Sequence, residues 1–220
     1  MADDAGWQRL LATQRTLQQH FPDLVLVGGT ASALHAGHRI SLDADHVLTD
    51  LKRSFDDVLT ALEAMAGWQT RRRKRPVMIL GKLDGVETGI RQLMRSRPLE
   101  TETVLGIRVP TLREMLRIKA WLIVTRNKTR DYLDTCALAD QLGLEEAVAA
   151  LVPLDDLYPQ DMGETVTRQL AKQLAEPLPD DLDDLDLSQY RELKPPWNSW
   201  DYVRECSLAL SDVITDQILN

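Results

Sequence analysis

The chain has 220 residues, 44% of them hydrophobic and 27% charged, with a formal net charge of −8. That length buries the core of one domain with an appendage, or of two small domains. No apolar run approaches the about 18 residues that span a bilayer, and Cys136 and Cys206, each in a helical pattern, read as buried thiols rather than a disulfide. With a start, Met-Ala-Asp-Asp, that lacks the basic residues of a signal peptide, these features predict a soluble cytoplasmic protein.

Residues 4–20 read as an amphipathic helix, with Trp7, Leu10, Leu11 and Leu17 at helical spacing and Phe21-Pro22-Asp23 as its stop. Next comes Leu24–Val27, an apolar strand, followed by the turn Gly28-Gly29-Thr30 and a short helix over 31–36. Glycine lets a backbone approach a phosphate closely, and the free N–H groups of the helix start suit an anion. A second strand over 40–46 carries Asp43 and Asp45. Residues two apart on a strand share a face, so Ser41, Asp43 and Asp45 are expected on one side, opposite Ile40, Leu42 and Ala44. Two carboxylates about 7 Å apart can hold Mg²⁺ against a triphosphate, because this ion keeps several waters and takes only one or two carboxylates beside phosphate oxygens.

Further along, Ser54 and Asp57 form an apparent capping box. The helix they open has Phe55, Val58, Leu59, Leu62 and Met65 as its apolar face. Arg71-Arg72-Arg73-Lys74-Arg75 then reads as an exposed loop or strand entrance. Five adjacent cations cannot pair among themselves, and phosphate contacts of this type position a nucleic acid without reading its bases. Val77–Leu83 and Val86–Leu93 flank Asp84-Gly85, a strong hairpin signal, and Val104–Val109 reads as one more strand. The core is thus a mixed sheet with helices against it, an α/β arrangement over 1–110, followed by a helical region over 111–220.

Thr111 and Glu114 mark a helix running to about Thr125, with Leu112, Met115, Leu116, Leu122 and Ile123 as its apolar stripe. Lys119 falls in the middle of that stripe. A lysine there must snorkel, pair with a carboxylate or reach into a cleft. Asp131 and Asp134 are placed in the first turn of the next helix, where acids complement the dipole, with Thr129 as its cap. Glu145–Leu151 and Glu164–Ala175 read as helices, and Glu176–Asp186 as an acidic linker. Trp197, Trp200 and Tyr202 lead into a last amphipathic helix carrying Val203, Cys206, Leu210, Val213, Ile214 and Leu219.

Charge is distributed unevenly: residues 1–51 carry a net −3, 52–130 a net +10, and 131–220 a net −15. A basic middle beside the carboxylate pair suits a polyanionic substrate. His35 and His38, with no cysteine nearby, make a poor zinc site. No G-x-S-x-G, Walker A or Rossmann fingerprint is present, which disfavours serine hydrolases, P-loop enzymes and dinucleotide dehydrogenases.

A G-G-(S/T) turn followed about ten residues later by D-x-D resembles the signature of polymerase-β-like nucleotidyltransferases. Two more segments resemble the AbiEii/AbiGii-type (MenT-like) nucleotidyltransferase toxins within that superfamily. They are Val-Pro-Thr-Leu-Arg-Glu-Met-Leu-Arg-Ile-Lys over 109–119 and Arg-Asn-Lys-Thr-Arg-Asp-Tyr-Leu-Asp over 126–134. The resemblance covers roughly residues 20–140. It implies a nucleotidyltransferase core and transfer of a nucleotide from an NTP to an acceptor hydroxyl, with one or two Mg²⁺ on Asp43 and Asp45. It further implies Lys119 at the triphosphate and Asp131 in the catalytic set, with Arg130 and Asp134 in the same motif, and it leaves the third carboxylate open among Glu87 on a neighbouring strand, Asp131 and Asp134. The acceptor it implies is a tRNA 3′ end, and the partner a cognate antitoxin. An aminoglycoside-type transferase and a non-catalytic binding module on the same fold are the rival readings.

Overall fold

The computed structural model describes residues 4–95 and 97–219. The non-basic start at residues 1–3 and the packing of the Leu219 side chain lie outside what is described. The chain divides into two compact units, Met1–Leu34 with Ser41–Pro110, and His35–Ile40 with Thr111–Asn220.

The first unit is built on a five-stranded mixed sheet in the order β1-β2-β5-β4-β3. Its strands are β1 (Val25–Val27), β2 (Ala44–Leu48), β3 (Trp68–Lys74), β4 (Met78–Leu83) and β5 (Val86–Gln92). Only the β2–β5 pair is parallel. Helix α1 (Asp4–His20) precedes β1, α2 (Gly28–Ala36) follows it directly, and α3 (Leu51–Ala64) joins β2 to β3. One sheet face presents Leu48, Ile79, Leu83 and Ile90, and these pack with Leu17 of α1 and with Leu51, Phe55, Val58, Leu59 and Leu62 of α3. Each such side chain contributes roughly 1.5–3 kcal/mol on burial.

The β4–β5 hairpin closes on Asp84 (φ 50°) and Gly85 (φ 83°), the paired positive angles that make Asp-Gly a tight-hairpin signal. The single strand expected over 104–109 is instead a second hairpin, β6 (Thr101–Val104) and β7 (Ile107–Pro110), turning on Leu105 and Gly106 with φ of 50° and 77°. Helix α3 starts three residues before the Ser54 expected to open it. Asp50 is its N-cap residue, and the Ser54 hydroxyl donates back to the Asp50 carbonyl. The basic run, expected as a loop or strand entrance, is largely strand β3.

The second unit is helical: α4 (Leu112–Arg126), α5 (Thr129–Leu142), α6 (Leu144–Leu151), α7 (Leu154–Leu157), α8 (Val166–Ala175) and α9 (Trp200–Leu219). The Thr111 hydroxyl accepts from the Glu114 N–H, as its capping position predicts. Thr129 does not cap α5. It is the first helical residue, and both its N–H and its hydroxyl donate to Asp181. The acidic stretch read as a linker is therefore tied down, with Asp180 bonded to Asn127 as well. Trp200 meets Tyr132 edge-on and Trp197 meets Tyr202, with ring centroids 6.0 and 5.4 Å apart. Cys136 and Cys206 are free thiols.

Candidate active site

Strand β1 passes into α2 without a linker, and Gly28 makes the corner at φ +73°, a conformation side chains rarely adopt. The Thr30 hydroxyl, fully buried, donates to the Asp43 carbonyl at 2.6 Å, and the Ser32 hydroxyl donates to the Gly28 carbonyl at 3.1 Å. The Thr30 side chain thus clamps the turn to the D-x-D segment. What this turn presents to an anion is the set of backbone N–H groups in the first turn of α2, which have no partner within the helix.

The D-x-D pair is not wholly on a strand. Pairing begins at Ala44, so Asp43 lies just ahead of β2, and the face expected to start at Ser41 starts later. Ser41 is buried, and its hydroxyl donates to Asp43 Oδ1 at 2.7 Å, which orients that carboxylate. From Ala44 on, alternation is strict: Ala44, His46 and Leu48 are buried, Asp45 and Val47 half-buried. Burial pushes the His46 imidazole down to about 4, so it sits neutral in the core.

Asp45 stands directly across from Gly89 on β5. A Cβ on Gly89 would lie 3.5 Å from Asp45 Oδ1 and clash with Leu80 at 2.5 Å; one on Gly28 would lie 3.7 Å from Asp45 Oδ2. A glycine therefore lies beside each carboxylate oxygen, where a Cβ would otherwise stand. Arg91, on the same face one step along β5, places its Nε 3.4 Å from Asp45 Oδ1, both side chains being substantially exposed. Glu87 precedes Thr88, the partner of Ala44, as Asp43 precedes Ala44, so the two acids hold equivalent positions on parallel neighbours. The Glu87 carboxylate is exposed and paired with Lys82 at 2.6 Å. Among the described residues no three His, Cys, Asp or Glu side chains converge to enclose a metal ion. The donor set is two carboxylates at an open surface, with a third in register. It fits Mg²⁺, which completes its shell with water and phosphate oxygens.

Lys119, Asp131 and Asp134, also predicted for the site, gather inside the second unit. Lys119, 1% exposed, places Nζ 2.6 Å from Asp134 Oδ2 and 3.5 Å from Asp131 Oδ1. Asp134 also accepts two bonds from Arg39, at 2.8 and 3.0 Å, and pairs with His38 Nε2 at 2.7 Å. Asp131 accepts a fork of two bonds from Arg126, at 2.6 and 2.7 Å. Burial by itself would raise the Asp134 carboxyl; Arg39, then Lys119 and the His38 bond, outweigh it and hold it well below the usual carboxylate range. Asp134 lies beyond the first turn of α5, so the expected dipole role does not apply to it, and Arg130 is exposed. Lys119 in an apolar stripe thus resolves as a buried cation paired with carboxylates.

Arg71 to Lys74 lie on β3, an edge strand, and all five basic residues are exposed. A register shift between Thr70 and Arg72 sets Arg71 apart as a bulge. Arg75 pairs with Asp56 and lies over the Phe55 ring at 5.3 Å. Sequence reasoning missed Gly89 and Arg91 beside Asp45. Their signal was available in the alternation of Glu87, Gly89 and Arg91 on one strand face, but only the register shows what that face meets.

No family model matches the chain. The "Heme uptake protein MmpL11" of Mycobacterium tuberculosis is 32% identical over 130 residues, covering 56% of this chain and 13% of that protein. The "Mycolic acid-containing lipids exporter MmpL11" of Mycolicibacterium smegmatis is 28% identical over the same length. The chain therefore spans only a small part of the curated relatives it matches. Among the described residues no helix is long and apolar enough to cross a membrane. Among solved structures, a proposed nucleotidyltransferase from Helicobacter pylori matches with a TM-score of 0.58 at 15% identity, over 99% of this chain and 96% of that one. JHP933 from Helicobacter pylori gives 0.57 at 14%, over 96% and 92%. The antibiotic-resistance factor ANT(2'')-Ia gives 0.50 at 12%, over 67% and 90%. The mixed sheet with its helices is a nucleotidyltransferase-type fold.

Proposed function

We propose that the chain is a Mg²⁺-dependent nucleotidyltransferase whose chemistry is carried by Asp43 and Asp45. The observation that carries this reading is the setting of Asp45: a carboxylate at an open sheet face, with both oxygens flanked by glycines, next to a glycine-led helix start. Asp43 and Asp45 would hold Mg²⁺, with Glu87 the nearest further carboxylate in register. The ion, when bound, supplies charge neutralisation at the triphosphate and eases deprotonation of the acceptor hydroxyl. The α2 start would hold the β- and γ-phosphates through its backbone N–H groups. The acceptor oxygen attacks the α-phosphorus, the bond to the bridging oxygen breaks, pyrophosphate leaves, and the hydroxyl proton passes to a nearby base or to water.

The narrower reading, a cytoplasmic AbiEii/AbiGii-type toxin that modifies a tRNA 3′ end and is restrained by an antitoxin, is supported by the resemblance of residues 109–119 and 126–134. That resemblance also gives Lys119 and Asp131 catalytic roles. Their mutual pairing favours a structural role, and we assign the chemistry to the sheet carboxylates.

Incubation with each labelled NTP and Mg²⁺, with bulk tRNA in one arm and aminoglycosides in the other, tests the reading. Label transferred to tRNA supports it, and label on the drug alone replaces it with the small-molecule enzyme. The binding-module reading has its own support, because 130 residues of this chain share 32% identity with a stretch of a protein described as a heme uptake protein. That reading predicts nucleotide binding without transfer to either acceptor.

A further inference from the structure

Strand parity divides the basic run of β3 between the two faces of the sheet. Arg72 lies opposite Leu80, Leu80 opposite Gly89, and Gly89 opposite Asp45. These four residues form one transverse row across four strands, all on the face that carries Asp45. Lys74, Met78, Arg91 and Val47 form the next row on the same face, and Gln69, Lys82 and Glu87 the row on the other side. Arg73, by contrast, lies opposite Ile79, a fully buried member of the core with α3. Arg75 is committed to that helix too, through Asp56 and the Phe55 ring.

Lys82 and Arg91 are paired with Glu87 and Asp45. Among the described residues Arg72 and Lys74 have no carboxylate partner, and both are exposed. Half-buried Leu80 and Met78 separate them from Gly89 and Arg91. From Arg72 to Asp45 is three strand spacings, about 14 Å.

We propose that this face is the track along which a nucleic-acid acceptor reaches Asp45, with Arg72 and Lys74 holding its phosphodiester backbone at the sheet edge and Arg73 and Arg75 taking no part. The proposal rests on the nucleotidyltransferase reading for its acceptor. Charge complementarity commits the occupant to a phosphate-bearing strand: two unpaired cations sit in register with a site read as handling a triphosphate. Contacts of this kind are independent of base sequence and weaken steeply with salt.

Two double variants remove the same charge from the same basic run, Arg72→Gln with Lys74→Gln, and Arg73→Gln with Arg75→Gln. All four positions are exposed, and thermal unfolding checks that each variant is folded. Binding of bulk tRNA is followed by fluorescence anisotropy over a salt series, and NTP binding with Mg²⁺ by calorimetry on the same samples. The Arg72/Lys74 variant is expected to lose about 1.4–1.8 from the log–log salt slope, at roughly 0.7–0.9 per contact, while the Arg73/Arg75 variant keeps the parent slope. Equal losses in both variants overturn the assignment of a face. Parent-like binding in both, or no tRNA binding by the parent, overturns the track and leaves the cations as guards of an edge strand. Calorimetry separates the two readings. If NTP binds while the track fails, the nucleotidyltransferase reading stands alone. If no NTP binds while the Arg72/Lys74 slope falls, the nucleic-acid contact of this face stands and the nucleotidyltransferase reading fails.

Discussion

Carboxylates and cations meet in two places in this molecule, and the two clusters are built on opposite terms. On the sheet, Asp43 is exposed and Asp45 half-exposed, with glycines beside the Asp45 oxygens and one arginine contact at 3.4 Å. In the helical unit, Asp131 and Asp134 are fully buried, and Lys119, Arg39, His38 and Arg126 surround them at bonding distance. A carboxylate left open can take a ligand cation. One surrounded by protein cations already has its counter-charge, and removing any partner leaves a buried charge uncompensated. Residue type alone does not separate these cases; environment does.

The largest expected effect falls on the open cluster. Asp43→Asn or Asp45→Asn should lower nucleotide transfer per folded molecule by several orders of magnitude, as loss of a transition-state electrostatic contact does. Their unfolding free energy should stay within about 0.5 kcal/mol of the parent. Parent-like turnover in either variant would remove the sheet face from the chemistry.

The buried cluster should answer in stability. Asp134→Asn leaves Lys119 and Arg39 without their main counter-charge and is expected to cost about 3–5 kcal/mol in urea unfolding. Lys119→Met, harmless for an unpaired lysine on an apolar face, should also destabilise, because Asp134 and Asp131 would lose their shared cation. If Lys119→Met keeps its stability but abolishes transfer, the cluster is catalytic and the contrast between the two sites collapses.

Acid separates two buried groups in different windows. His46 is depressed from 6.5 to about 4, so its neutral form stabilises the fold fully above pH 6.5 and that contribution is lost as pH falls toward 4. The loss is about 3 kcal/mol at 1.36 kcal/mol per unit. His46→Leu should flatten stability over that window; an unchanged slope would show that the imidazole is not held neutral. Asp134, also depressed, contributes stability that is present above the ordinary carboxylate range and lost only as pH falls below it. Asp134→Asn should therefore alter the most acidic limb and leave the His46 window alone. The smallest effect belongs to Arg75→Gln, which breaks an exposed pair with Asp56. That change should cost roughly 0–1 kcal/mol by chemical denaturation, and a larger cost would show that the pair helps fix α3 to the sheet.

The parts legible from sequence were those with local causes. The Asp84-Gly85 hairpin rests on two positive φ angles that this dipeptide tolerates, and the Thr111 cap on one hydroxyl reaching a near N–H. The carboxylate motif was readable as a pattern, although its strand begins one residue after Asp43. Long-range matters were not legible. Strand β3 shows no apolar alternation, because an edge strand with four cations buries almost nothing beyond Trp68 and Thr70. His38 and Asp134 are 96 residues apart, and no spacing rule joins them. Gly89 and Arg91 matter only through the register of β2 with β5, which pattern alone does not set.

Calorimetric titration of an NTP into the parent protein and into Asp45→Asn, each with and without Mg²⁺, tests the central claim most directly. Saturable binding by the parent that requires Mg²⁺ is expected, and its loss in Asp45→Asn at an unchanged unfolding midpoint. Binding of equal strength in parent and variant, or binding indifferent to Mg²⁺, would contradict it.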